Sequence, residues 1–348
     1  MKLSWQPYTL HFKRPSGTSR GLLHKKTSYF LRLEEGDLVG LGECGLLKGL
    51  SVDDRPDYED RLRSLQEEVA TAGIPALEEL KEWPSIRMGL EMARRDLKAP
   101  AHVLFPSEFT EGLERQPING LIWMGDPTFM RAQADDLLAR GFMVIKLKIG
   151  AIDWEAELKL LRYLRGRYGP AQLQLRVDAN GAFAPGEALA KMEQLDELRV
   201  HSIEQPIAKG QWEYMARLCQ QSPLPVALDE ELIGVHDRAP QIEMLERIKP
   251  RFLILKPSLL GGFAACEQWI ELAEERGIAW WVTSALESNY GLSAIAQWNY
   301  TLHNSMASGL GTGSLFTNNF PAPLHMVRGT VAYDPEGQWN LSGLKEWR

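Results

Sequence analysis

The sequence predicts an α/β fold: a modified (β/α)8 TIM-type barrel with an α+β N-terminal capping domain. Three observations predict it. From about residue 118, short apolar runs of strand character alternate with amphipathic helical stretches. The ends of successive runs recur about every 25–30 residues, which is the length a βαβ unit consumes. The N-terminal third lacks that alternation and places strands before helices. A doubly wound open sheet is the competing architecture on periodicity alone.

Each element can be justified in order. SYFLRLEEGDLVGLGECG (28–45) alternates apolar and polar residues around an EEGD turn, the pattern of a hairpin. LRSLQEEVA and IRMGLEMARRDL carry apolar residues at three- and four-residue spacing, the pattern of helices. The predicted barrel strands are LIWMG (121–125), VIKLKIG (144–150), LQLRVDAN (173–180), VHSIEQP (200–206) and PVALDE (225–230). FLILKPS (252–258), AWWVTSALES (279–288) and SGLGTGSLF (308–316) make eight. DPTFMRAQADDLLARG, DWEAELKLLRYLRGRYG and GFAACEQWIELAEERG read as intervening helices, often with a glycine stop. The expected division is a cap at 1–112, a barrel at 113–318 and a segment at 319–348 that returns to the cap.

A formal charge of −7 argues against nucleic acid as a partner. No apolar run approaches the ~18 residues that span a bilayer, and the N-terminal stretch has no signal-like apolar core. Cys44, Cys219 and Cys266 are few, odd in number and widely spaced, so reduced thiols and a cytoplasmic location are expected. The seven histidines form no metal-binding pattern. His201 lies three residues from Glu204, on the opposite face of an extended chain, and reads as a core or solvated residue. Trp280, Trp281 and Trp298 read as core.

The charged residues within the apolar runs fall at strand ends, where a barrel of this type carries its chemistry. Lys146 and Lys148 end one strand, followed on the next four by Asp178, Glu204, Asp229 and Lys256. Three converging carboxylates repel one another unless a cation lies between them, and hard oxygen donors suit Mg²⁺. Lys146 and Lys148 share a face because alternate side chains of a strand point the same way. Crowding and burial lower a lysine from its usual ~10.4 towards the range of a general base. One lysine of the pair would take a proton and the other would tune it. A lysine base beside a metal-bound carboxylate implies abstraction of the adjacent proton, with the metal as Lewis acid.

KLK (146–148), RVDAN (176–180), SIEQP (202–206), ALDEE (227–231) and LKP (255–257) together resemble the enolase superfamily, muconate-lactonising subgroup. The resemblance covers essentially the whole chain. It implies that Asp178, Glu204 and Asp229 bind Mg²⁺, with Mn²⁺ an acceptable substitute. It also implies Lys148 as the base, Lys146 as its assistant, and Lys256 as the stabilising cation on the opposite face. TSALESNYGLSAIAQW (283–298), GLGTGSLFTNNFPAPL (309–324) and PSGTSRG (15–21) are similar to one hydro-lyase branch of the subgroup. That branch carries out a syn dehydration of 2-succinyl-6-hydroxy-2,4-cyclohexadiene-1-carboxylate, so a small carboxylate is the expected substrate.

Expected substrate contacts are Arg176 and Asn180, which share the face of Asp178, together with Thr283, Ser284, Gly311 and Thr312. Arg20 and Gly49 lie in cap segments that close the site in the family. The alternatives are racemisation of N-succinylamino acids, epimerisation of dipeptides, muconate cycloisomerisation, or a barrel that binds without catalysing. A dipeptide's free ammonium calls for acid at the eighth strand, where this chain has GTGSLF. A non-catalytic relative is disfavoured because every ligand and lysine is present. Oligomeric state is not legible.

Overall fold

A computed structural model describes residues 1–18 and 21–348. The chain opens with an antiparallel sheet of β1 (Lys2–Thr18), β2 (Gly21–Glu35) and β3 (Leu38–Cys44), in that spatial order. The expected hairpin is β2–β3, turning through Gly36 and Asp37. The sequence reading missed β1, which pairs along most of β2. Its stretch LSWQPYTLHFKRP is broken by two prolines and a register shift, so the period of two is blurred.

Helices α1 (Tyr58–Ala72) and α2 (Pro84–Asp96) cover one face of this sheet. Leu3, Trp5, Leu31, Leu33, Leu62 and Leu90 form the core between the layers. The fit is tight where α2 crosses β3: a Cβ on Gly42 would come within 1.8 Å of the Gly89 carbonyl oxygen. Only glycine allows that approach.

After the short β4 (Gln116–Pro117), the barrel begins with β5 (Gly120–Ile122), α3 (Pro127–Ala139), β6 (Val144–Lys148) and α4 (Trp154–Arg165). It continues through β7 (Gln174–Asp178), α5 (Pro185–Glu197), β8 (Ser202–Glu204), α6 (Trp212–Gln221) and β9 (Val226–Leu228). Then come α7 (Arg238–Ile248), β10 (Phe252–Leu255), the one-turn α8 (Pro257–Leu260), α9 (Phe263–Glu274), β11 (Ala279–Val282) and α10 (Asn289–Thr301). Strands β5 to β11 are parallel and neighbour one another in chain order. The expected eighth strand is reduced to two bridges: Ser308 pairs with Ile118 and Gly309 with Thr283. These bridges close the ring, and an open doubly wound sheet is excluded.

Side chains alternate between the ring's interior and its helices. Trp281 faces inward with Ala227, Phe252 and Ile254, whereas Trp280 joins the layer between strands and helices. Asp126 and Asp153 cap α3 and α4 by accepting backbone N–H bonds. Past the barrel, β12 (Leu324–Val327) and β13 (Thr330–Tyr333) form a hairpin that pairs with β4. The backbones of Trp5 and Arg348 exchange hydrogen bonds.

Candidate active site

The C-terminal rim of the barrel gathers six ionisable side chains from five adjacent strands, all of them buried. Lys146 Nζ lies 2.5 Å from Glu204 Oε2 and 2.7 Å from Asp178 Oδ2. Lys148 Nζ donates to Asp178 Oδ2 at 2.6 Å and to Asn180 Oδ1 at 2.7 Å. Lys256 pairs with Asp229. Strands β6 and β10 are four apart around the ring, so Lys148 and Lys256 face each other across its mouth.

Asp178, Glu204 and Asp229 each offer an oxygen within 4.8 Å of the others. Glu204 Oε1 is buried and accepts no hydrogen bond among the described residues; Lys256 Nζ stands 3.9 Å away, beyond hydrogen-bond reach. A buried carboxylate oxygen without a donor is costly. That orphaned oxygen, the three-acid cluster and its oxygen-only chemistry fit a divalent cation.

The local field separates the two lysines. Burial depresses Lys148 below the ordinary lysine value; Asp178 opposes this, Lys146 adds to it, and the net direction is down. Burial acts on Lys146 too, but Asp178 and Glu204 outweigh it and hold that ammonium above the ordinary value. Burial and the Asp178 charge push Glu204 well up. Burial would also raise Asp178, yet Lys146, Lys148 and Lys256 hold it well below the usual carboxylate range.

The backbone around these groups is strained. Asn180 (φ 45°), Gln205 (φ 41°) and Leu286 (φ 65°) sit in the left-handed region just past three strand ends. Such conformations cost about 1–3 kcal/mol each and persist where surrounding bonds fix them. Asn180 is held by Asp178 Oδ1 at its backbone N–H and reaches Glu230 Oε1 through its side chain. The Gln205 side chain bonds Glu231 Oε2 and accepts from the backbone of Asp229 and Glu231, tying the loops that follow Glu204 and Leu228 together.

A cavity of about 270 Å³ opens onto this cluster. Lys146, Lys148, Asn180 and Lys256 line it, together with Thr283, Ser284, Gly311 and Thr312. Leu23, Leu47 and Leu50 from the cap region, with Trp123 and Leu286, give it an apolar wall. Arg176 does not line the cavity. Its guanidinium donates to the Ala307 carbonyl at 2.8 Å and stands 4.1 Å from the centroid of the Trp281 ring. Burial lowers its pKa to about 10. Alternation gives Arg176 the face of Asp178 but one layer deeper in the barrel. Gly49 does not line the cavity either, and Arg20 lies outside the described residues.

The pattern of the family described as Enolase C-terminal domain-like matches residues 129–337. The chain belongs to the enolase superfamily. Over 95% of its length, and 98% of its relative's, it is 46% identical to an o-succinylbenzoate synthase of Desulfotalea psychrophila. The crystal structure of MenC from that organism superposes with a TM-score of 0.85 at 42% identity, covering 95% of this chain and 99% of the other. An N-succinylamino acid racemase of Thermus thermophilus is 32% identical over 79% of this chain and 75% of its own. The L-Ala-D/L-Glu epimerase of Bacillus subtilis shares the fold, with a TM-score of 0.82 at 20% identity and 98% of each chain covered.

Proposed function

We propose that the protein acts as an o-succinylbenzoate synthase, dehydrating 2-succinyl-6-hydroxy-2,4-cyclohexadiene-1-carboxylate in menaquinone biosynthesis. The observation that carries the reading is the near full-length identity to such an enzyme, joined to a depressed lysine beside a three-carboxylate cluster. Asp178, Glu204 and Asp229 would hold the divalent cation, taken here as Mg²⁺, which when bound draws charge from the substrate carboxylate.

Lys148, neutral, takes the proton next to that carboxylate. The ring's C–O bond then breaks, and the departing hydroxide leaves as water with the proton returned from Lys148. One acid–base group serves both steps because both departures lie on one face. Lys146 keeps its charge and holds Lys148 low, while Lys256 supplies a cation from across the mouth. Asn180 fixes Lys148 through its side-chain oxygen. Loss of water makes the ring aromatic, which drives the reaction forward. The apolar wall excludes water and strengthens these charges.

The same reading takes a small carboxylate as ligand and the cytoplasm as compartment. It divides the chain into cap (1–112), barrel (113–318) and closing segment (319–348), whose return to the cap is supported by the Trp5–Arg348 bonds. Racemisation of N-succinylamino acids is a second reading, favoured by lysines on both sides of the cavity. The deciding experiment follows absorbance with the cyclohexadiene substrate and Mg²⁺, then with a chelator added. Rapid, chelator-sensitive formation of o-succinylbenzoate is the expected result. No conversion by metal-loaded, folded protein would overturn the synthase reading in favour of racemisation.

A further inference from the structure

The hydroxyls of Ser284 and Thr312, placed on the cavity wall where a substrate carboxylate was expected, have their protons committed elsewhere. Ser284 Oγ donates to Glu287 Oε2 at 2.7 Å and accepts from the Leu286 backbone N–H at 2.9 Å. Thr312 Oγ1 donates to Ser284 Oγ at 2.9 Å. Glu287 is fully buried and also gathers the Ser258 hydroxyl at 2.6 Å and the Ala285 N–H at 2.8 Å. A serine has one proton to give and a carboxylate has none. The bonds therefore run one way, from Thr312 through Ser284 into Glu287. What Thr312 turns to the cavity is a lone pair.

We propose that Glu287 is a positioning residue that sets the hydrogen-bond polarity of the wall formed by Ser284 and Thr312. That wall selects a donor from the bound molecule, such as a hydroxyl, an amide N–H or a bridging water, over a bare carboxylate. A carboxylate reaching this point would do so through a water, whose two protons can satisfy two acceptors. Glu287 does not line the cavity, so it acts only through these neighbours. The cap reinforces it from behind. Glu43, at the end of β3, accepts both the backbone N–H and the hydroxyl of Ser288, so two buried acids hold the stretch from Ser284 to Ser288. Lys26 Nζ lies 4.0 Å from Glu43 Oε1 and supplies a counter-charge.

The kinetic part of the test rests on the dehydration reading, and the structural part does not. Neutron diffraction from deuterated protein should place deuterium on Ser284 Oγ pointing at Glu287, and on Thr312 Oγ1 pointing at Ser284. The reverse orientation would overturn the proposal whatever the cavity binds. In turnover, Glu287→Leu frees the Ser284 proton and should raise KM about tenfold, with kcat moving less, because the wall orients rather than reacts. Glu287→Gln keeps an acceptor oxygen where Ala285 N–H and Ser284 converge, and should stay within about threefold of the parent. In a Thr312→Val background, Glu287→Leu should cost less than about twofold, since the relay it directs is already gone. Equal costs in both backgrounds, or a Gln variant as impaired as Leu, would reduce Glu287 to a packing role. If Glu287→Leu does not fold, Ser284→Ala cuts the same relay, and the cycle with Thr312→Val reads in the same way.

Discussion

The upper and lower halves of the barrel interior are built by the same strands, two residues apart, and could hardly differ more. Above are Lys148, Asp178, Glu204, Asp229, Lys256 and Thr283. Below them on the same strands lie Lys146, Arg176, Ser202, Ala227, Ile254 and Trp281. Five of the six upper residues are ionisable, whereas no carboxylate lies in the lower layer, where Ala227, Ile254 and Trp281 pack together and Arg176 lies over Trp281. One step of the strand period therefore leads from a cluster of acids and lysines to a layer without acids, closed on one side by packed apolar side chains. The lower layer is the dry floor that lets charges above it act through a weakly screening medium. Lys146 belongs to the lower layer by register but reaches upward to Asp178 and Glu204 with its long side chain.

Substitutions that cross this boundary should separate chemistry from stability. Lys148→Ala should have the largest effect, lowering kcat by about 10²–10⁴-fold while leaving metal binding intact, as read by turnover and metal titration. Substantial remaining dehydration would remove Lys148 as the base. Asp178→Asn should come next, weakening divalent-cation affinity by more than the ~10–100-fold that loss of an outer-sphere partner costs. Calorimetric titration with Mg²⁺ would show it.

In the layer below, Trp281→Ala should cost about 3–5 kcal/mol of stability through the cavity it leaves, measured by denaturant unfolding. An unchanged unfolding midpoint would mean that the floor carries no load. The smallest effect should come from His201, whose ring stacks on Phe252 at 5.0 Å and whose pKa is held down to about 4 by burial and by Arg176. The unfolded chain binds this proton below its ordinary value of 6.5, while the folded chain resists it until about 4. Stability is therefore lost as pH falls through that window. His201→Phe should flatten the acid side of the stability profile there, and an unaltered slope would contradict the assignment.

Much of the upper layer was legible because buried charge is rare in strands. Lys146, Lys148, Asp178, Glu204, Asp229 and Lys256 each interrupt an apolar run, and their even spacing gives the barrel. Height within the barrel was not legible. Arg176 shares the face of Asp178, but only the register of β7 against its neighbours shows that it lies too deep to line the cavity. Glu287 was missed for a different reason. In ALES it follows a strand like any solvated loop acid, its bonds to Ser284 and Ala285 depend on the turn of that loop, and Ser258 reaches it only through folding. The strand β1 escaped because prolines and mixed polarity hide its period, although β2 pairs with it over most of its length. Asn180 was expected as a contact from its shared face with Asp178, and Gln205 carried only the faint signal of directly following Glu204, but nothing in the sequence announced their left-handed backbone.

Among the described residues the ring is sealed by Ser308 and Gly309, after every lysine and carboxylate of the site has already been laid down in the chain. On a ribosome, the nascent polypeptide would carry its full set of reactive groups long before the seam that encloses them emerges. Catalytic competence thus arrives at a single late moment of synthesis, and a product truncated before residue 308 would be chemically silent despite holding all six charges.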